Sequence, residues 1–286
     1  MADQSRIHFD AADLAAYLDR IGYSGPVAPD LRTLRALHAH HVAAIAFENI
    51  DPMVRRTPDL SARGLMAKLV HGGRGGYCYE QNGLYLGMLQ HIGFEAYGLT
   101  GRVRWSVPVD IITARNHMMI HVALPDGGYL TDVGFGGMTP TGPLKFEARI
   151  VQETPHEPFR LLRDGTDWLL QAEVAGTWSD VYRFDLTPQL PIDYEAGNYY
   201  LANSDNSFFT QGVIAARHAA GQRMALNNRS FTIYPAGKAL QRRMLKDAAE
   251  ICDTLEKEFG IRLPDQVRGR PNPGTATCPP WVCPAI

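Results

Sequence analysis

Cys78-Tyr-Glu-Gln-Asn-Gly-Leu-Tyr-Leu-Gly-Met-Leu-Gln-His-Ile-Gly93-Phe-Glu-Ala-Tyr-Gly-Leu-Thr-Gly-Arg-Val-Arg-Trp105 is the stretch where the chain changes period. Before Gly93, the apolar residues Leu84, Tyr85, Met88, Leu89 and Ile92 recur on one helical face. Gly93 stands where a helix-ending left-handed residue belongs, and Gly83 and Gly87 weaken this helix without breaking its pattern. After Gly93, Tyr97, Leu99, Val103 and Trp105 alternate with Gly98, Thr100, Arg102 and Arg104, as in a half-buried strand. A helical part therefore hands over to a sheet here.

Upstream of this stretch the reading stays helical. Asp10 can cap a helix that carries Leu14, Tyr17, Leu18 and Ile21 on one face; Asp30 can cap a second, and Ser61 a third with Leu65, Met66 and Leu69. Downstream, Met118–Leu124 and Tyr129–Val133 flank Pro125-Asp-Gly-Gly128, and Phe159–Arg163 and Trp168–Val174 flank Asp164-Gly165. Both are hairpin signals, so the middle reads as an antiparallel sheet or barrel. Gln211–Arg217, Arg223–Asn227 and Phe231–Tyr234 read as strands, and Ala239–Phe259 as a helix ended by Gly260. The boundaries drawn are 1–93 helical, 94–190 sheet, 191–263 mixed, and 264–286 a tail rich in Pro that holds Cys278 and Cys283.

Composition narrows the function classes. With 28 Lys+Arg against 30 Asp+Glu the net charge is −2, so no basic field points to nucleic acid or an anionic membrane. The longest apolar runs, such as Val42–Phe47, fall far short of the ~20 residues that span a bilayer. The opening residues lack the charged end and apolar run of a signal peptide, and a cytoplasmic protein is expected. Four cysteines in 286 residues make no disulfide framework, and Cys78 stands alone in the first 250 or so. Cys252 is expected to pack on its helix, and the tail pair offers too few ligands for a zinc site.

Cys78 lies between Gly72-Gly-Arg-Gly-Gly76 and the first turn of a helix. The thiolate is the nucleophilic form of cysteine. A helix N-terminus favours an anion by only ~0.3–1 kcal/mol, so strong activation calls for a second cation, most naturally a histidine. His38, His40 and His41 crowd one helix and are expected to be solvated or capping rather than metal-bound. His117 and His121 fall on a strand, about 13 Å apart at ~3.3 Å per residue, too far to share a metal. His117 opens that strand, and Asp132 lies near the end of its hairpin partner. The ladder sets the two nearly opposite each other, the arrangement by which a carboxylate fixes an imidazole tautomer. Gly134-Phe-Gly-Gly137 follows directly, a turn whose N–H groups can form an anion-binding concavity.

Arg74-Gly-Gly-Tyr-Cys78-Tyr-Glu-Gln-Asn82, Asn116-His117 and Asp132-Val-Gly-Phe-Gly-Gly137, spaced 39 residues from Cys to His and 15 from His to Asp, resemble the arylamine N-acetyltransferase family. Phe47-Glu-Asn-Ile50 and Gly101-Arg-Val-Arg-Trp105 resemble further elements of that family, and Asn198, Ser207 and Phe209 match part of a stretch that borders its coenzyme A cleft. The resemblance implies an α+β fold: an N-terminal helical bundle, a central antiparallel β-barrel and a C-terminal α/β lid around a cysteine-protease-like core. It implies Cys78 as acetyl-accepting nucleophile, His117 as base and Asp132 as orienting acid. Phe47, Gly134, Phe135, Gly136, Gly137, Ser207 and Phe209 would border substrate and coenzyme A. Acetyl-coenzyme A would be a co-substrate, with no bound cofactor and no metal, and the acceptor a small aromatic amine or hydrazine of xenobiotic origin. A cysteine hydrolase with the same Cys, His, acid order and an inactive ligand-binding relative are the rival readings. Gly76-Tyr-Cys-Tyr lacks the papain signature, which weighs against a papain-type protease.

Overall fold

In the computed structural model, residues 5–263 are described, and the tail with Cys278 and Cys283 lies outside them. The helices begin where short polar side chains can satisfy free amide groups. Helix α1 (Ala11–Arg20) starts at Asp10, which accepts from the N–H groups of Ala12 and Asp13 while Asp13 accepts from that of Asp10. Helix α2 (Leu31–Ala44) starts at Asp30, which accepts from the Thr33 N–H. A short strand β1 (Phe47–Glu48) leads into α3 (Ile50–Met53). Ser61 caps α4 (Ala62–Leu65), which widens into a π-helical turn over Met66–His71. Helix α5 (Cys78–Ile92) ends at Gly93 with φ 106°. Tyr17, Leu34, Leu37, Leu69, Leu84 and Met88 are fully buried between these helices, each worth ~1.5–3 kcal/mol of burial.

The middle of the chain forms eight antiparallel strands: β2 (Glu95–Val103), β3 (Arg115–Leu124), β4 (Gly127–Thr131), β5 (Leu144–Lys145), β6 (Val151–Gln152), β7 (Phe159–Asp164), β8 (Asp167–Val174) and β9 (Thr177–Phe184). Their spatial order is β5-β4-β3-β2-β9-β8-β7-β6. The two end strands meet through a side chain instead of a ladder. Lys145 N–H donates to Gln152 Oε1 (2.7 Å), and Gln152 Nε2 donates to the Lys145 carbonyl (2.9 Å). A primary amide thus takes the place of a backbone amide and nearly closes the barrel.

The last part contains α6 (Asp193–Asn203), a 3₁₀ turn at Phe208–Thr210, strands β10 (Ile214–Ala219), β11 (Gln222–Asn227), β12 (Ser230–Pro235) and β13 (Gln241–Met244), and α7 (Ala248–Lys257). The second sheet runs β1-β10-β11-β12-β13, so its edge comes from the N-terminal part of the chain. Asn49 fastens this edge. Its Nδ2 donates to the carbonyls of Phe209 (2.8 Å) and Gly212 (2.7 Å), and its Oδ1 accepts from the Ile214 N–H (2.6 Å). No helix among the described residues is long and apolar enough to cross a membrane.

The α+β expectation of helical bundle, barrel and lid matches this architecture. The helix expected over Ala239–Phe259 is shorter: Gln241–Met244 pairs with β12, and the helix starts at Ala248 behind the Asp247 cap. Residues of good helix propensity are held there as an edge strand, since tertiary pairing outweighs tenths of a kcal/mol per residue. The strand expected from Gln211 begins at Ile214, because Phe208–Thr210 first makes a 3₁₀ turn and the Asn49 bonds fix the segment that follows. Cys252 is half-buried on α7 against the second sheet's core, as expected.

Candidate active site

Cys78 is the first residue of α5, at the end of the glycine-rich turn. That turn packs backbone to backbone against β1. Gly76 N–H donates to the Ala46 carbonyl (3.3 Å) and Glu48 N–H to the Gly76 carbonyl (3.1 Å). A Cβ on Gly75 would run into the Ala46 carbonyl, so glycine here permits close approach. Gln81 Nε2 also donates to the Gly76 carbonyl (3.1 Å), while its Oε1 accepts from His41. The thiol therefore sits on a turn held from both sides, 4% exposed.

His117 and Asp132 reach Cys78 from the barrel. Asp132 Oδ2 accepts from His117 Nε2 at 2.7 Å, and both side chains are buried. The ladder pairs Ile120 with Thr131 and His121 with Leu130, a register that sets Asp132 beside Met119. His117 and Asp132 are thus diagonal neighbours on one face, two positions from directly opposite. The hairpin turns at Pro125-Asp126, and this two-residue loop sets the register. Side-chain length closes the diagonal. With Nε2 taken by Asp132, Nδ1 is the ring nitrogen left for the Cys78 thiol. Burial works against a charge on His117, but the Asp132 carboxylate, its hydrogen bond and the Cys78 sulfur outweigh it and hold the pKa at about 10. Burial likewise raises the Asp132 pKa, yet the His117 charge and hydrogen bonds from His117, Asn82 and Gly134 leave it below its ordinary value.

Asn82 is the positioning residue that the sequence reading passed over. One helical turn after Cys78, its Nδ2 donates to Asp132 Oδ1 (2.9 Å) and the Met118 carbonyl (2.8 Å), and its Oδ1 accepts from the Val133 N–H (3.0 Å). The helix of the cysteine thereby holds the carboxylate that bonds His117. A signal was present: Asn82 lies at i+4 from Cys78, on the same side of the helix.

The glycine-rich turn after Asp132 is built into this assembly. Gly134 N–H donates to Asp132 Oδ1 (2.9 Å), so it is engaged by the carboxylate. A Cβ on Gly134 would fall 2.9 Å from the Cys78 Cα. Gly134→Ala is therefore expected to cost ~1–3 kcal/mol of stability by overpacking, which a melting curve checks. Phe135 sits edge-on to the His117 ring at 4.9 Å, and Gly136, with φ 92°, faces the Phe47 ring. The Gly137 carbonyl accepts from Arg223 Nη1 (3.2 Å).

Phe47 and Phe209 stand 6.1 Å apart and share a cluster with Tyr77, Cys78, Tyr79, Met118 and Tyr194. The structure thus brings Phe47, Phe135 and Phe209 around the cysteine and histidine. Ser207 is buried, with its hydroxyl donated to the Leu201 carbonyl (2.7 Å). Asn198 Oδ1 accepts a hydrogen bond from the Tyr77 hydroxyl and its Nδ2 donates to the Pro58 carbonyl (2.9 Å), tying α6 to the residue before the cysteine.

The histidines of α2 depart from the expected solvated or capping role. His38 and His41 are wholly buried. His38 Nε2 donates to the Pro140 carbonyl (2.8 Å) and Nδ1 accepts from Thr131; His41 Nε2 donates to Gln81 and Nδ1 accepts from Tyr17 (2.9 Å). Burial lowers their pKa values to about 4 and about 3, so both are neutral core groups. Only His40 caps, with Nδ1 bonded to the Ile21 carbonyl at the end of α1 (3.1 Å). His121 stacks between Tyr97 (4.6 Å) and Phe146 (5.2 Å). Among the described residues, no group of three or more His, Cys, Asp or Glu could hold a metal ion.

Comparison with known proteins meets this geometry. A family model described as N-acetyltransferase matches residues 30–268. The arylamine N-acetyltransferase of Mycolicibacterium smegmatis is 44% identical over 259 residues, covering 89% of this chain and 94% of that protein. The arylamine N-acetyltransferase of Escherichia coli K12 is 39% identical, covering 88% and 90%. Among solved structures, the Mycobacterium marinum arylamine N-acetyltransferase in complex with CoA superposes with a TM-score of 0.84 at 42% identity, covering 87% of this chain and 92% of that one. The chain belongs to the arylamine N-acetyltransferase family of acyltransferases.

Proposed function

We propose that this protein moves the acetyl group of acetyl-coenzyme A to an aromatic amine, hydrazine or arylhydroxylamine in two half-reactions through acetyl-Cys78. The observation that carries the reading is the buried contact of His117 with Asp132 beside the thiol. An imidazole that keeps its proton up to about 10 can pair with a thiolate across the neutral range. The thiolate attacks the thioester carbonyl carbon, and backbone N–H groups at the start of α5, that of Cys78 included, face the developing oxyanion. Coenzyme A leaves as its thiolate and takes the proton from His117. The amine then attacks acetyl-Cys78, neutral His117 accepts the amine proton, and the Cys78 thiolate leaves. Asp132 keeps its charge throughout and holds the ring in place.

Phe47, Phe135 and Phe209 would cover the acyl group and the aryl ring, and their apolar faces suit an unprotonated arylamine. The CoA complex of the Mycobacterium marinum relative supports acetyl-coenzyme A as the donor. Incubation with acetyl-coenzyme A, followed by the intact mass, is expected to show one added acetyl group that an arylamine then removes. Loss of free coenzyme A thioester with no acetylated protein would point to a hydrolase, and neither event to a binder.

A further inference from the structure

Beneath the first turn of α5 lies a buried group of charges that the reaction scheme leaves unused. Lys68, on the π-helical turn, places Nζ 2.6 Å from Glu80 Oε1 and 2.7 Å from Asp51 Oδ2. Glu80 is the third residue of α5, and its Oε2 accepts the N–H of Tyr77, the residue before Cys78 (3.2 Å). Arg74 Nε donates to Glu48 Oε1 (2.9 Å), with Nη2 2.7 Å from the same oxygen and 3.5 Å from Asp51 Oδ1. Glu48 Oε2 accepts from the Ile50 N–H (2.6 Å). Side-chain exposure is 15% for Lys68, 2% for Glu80 and 0% for Glu48. Arg56 is the one further cation near Asp51, at 3.9 Å on the surface.

A carboxylate at this place serves the helix and harms the reaction. It caps an amide that would otherwise be unsatisfied, but it puts a negative charge two residues from a sulfur that must itself be negative. Burial raises the Glu80 pKa to about 7, and the Lys68 ammonium opposes the rise. Lys68 is anchored at both ends, since its carbonyl accepts the Arg74 N–H (3.1 Å) while its ammonium bridges two carboxylates. The wider turn over Met66–His71 aims this side chain under α5, the kind of local helix irregularity found at functional sites.

Resting on the assignment of Cys78 as nucleophile, we propose that Lys68 is a positioning residue for acetyl transfer: it cancels the charge of the Glu80 cap so that the turn bearing Cys78 is both capped and able to carry a thiolate. Lys68→Met is expected to slow acetylation of Cys78 by acetyl-coenzyme A roughly 10- to 100-fold. Glu80→Gln alone is expected to change the rate less than about threefold, because the amide oxygen still caps Tyr77 and Lys68 keeps Asp51. The deciding variant is Lys68→Met combined with Glu80→Gln, in which no carboxylate is left uncancelled at the cap. It is expected to regain most of the lost rate, a recovery that a purely structural role would not produce.

Single-turnover acetylation followed by intact mass, beside a melting curve for each variant, provides the readout. A normal rate in Lys68→Met, or a double variant as slow as Lys68→Met, overturns the proposal. If Lys68→Met fails to fold, a double variant that folds and is slower than Glu80→Gln by tenfold or more overturns it as well. Wild-type protein that never forms acetyl-Cys78 would instead remove the assignment on which the proposal rests.

Discussion

Cys78→Ala is expected to form no acetyl-enzyme and to lose acetyl transfer by roughly 10³-fold or more, the scale on which removal of a covalent nucleophile acts. Its fold should survive. Alanine keeps the helix start, and the side chain removed is small, partnered by His117 and by a long contact to the Asn116 carbonyl (3.8 Å). Its melting temperature is therefore expected within a few degrees of wild type, so that inactivity cannot be ascribed to unfolding. Product formed at the wild-type rate by this variant would falsify the acetyl-cysteine scheme.

Asp132→Asn is expected to reduce acetyl transfer on the order of 10³–10⁴-fold, and the geometry says why. Asp132 Oδ1 accepts from Asn82 Nδ2 and Gly134 N–H, while Oδ2 accepts from His117. An asparagine has one oxygen, which these two donors claim, and its NH₂ then points at His117 Nε2. That nitrogen must become an acceptor, which puts the imidazole proton on Nδ1 and leaves no lone pair there for a proton from the thiol or the amine. With the carboxylate gone, burial dominates, and the His117 pKa is expected to fall from about 10 to below the ordinary imidazole value. Ring-carbon NMR shifts against pH test this directly; an unchanged titration would refute the assignment of Asp132 as the cause.

Stability should follow the same groups. In the folded protein His117 keeps its proton to about 10, whereas the unfolded imidazole loses it near 6.5. The pair's contribution is then complete below 6.5 and is lost as pH rises toward 10. The Asp132 carboxyl is held below the ordinary carboxylate value, so its contribution is present above that range and is lost in acid. The wild-type melting temperature is therefore expected to fall between neutral pH and about pH 10, a fall missing from Asp132→Asn.

Much of this arrangement could be read in the residues. Asp10, Asp30 and Ser61 start their helices because a short acceptor before an apolar period has few other uses. Cys78 and Gly93 bracket α5, and the Pro125-Asp126 turn brings His117 and Asp132 to one face. What escaped reading depends on contacts distant in sequence. Asn82 looks like any polar residue on a helix until the barrel packs against it. Lys68 belongs to a turn whose i→i+5 bonding has no sequence signature, and its partners come from α3 and α5. Asp193–Asn203 has tyrosines and asparagines without a clear apolar stripe, so α6 was not foreseen. His38 and His41 are polar by type, yet each finds a donor and an acceptor deep in the core, which makes burial tolerable.

The pairing of Phe47–Glu48 with β10 has a consequence for how the site comes into being. During synthesis Cys78, His117 and Asp132 all precede the chain that completes their surroundings, since Asn49 waits for partners more than 150 residues away. A product truncated before Phe208 would carry the thiol, the imidazole and the carboxylate without the Phe209 wall, and would leave β1 as an unpaired edge open to other chains. Long separation makes this closure slow relative to local hairpins. The Cys78 thiol thus gains its shelter only once most of the described chain has been made.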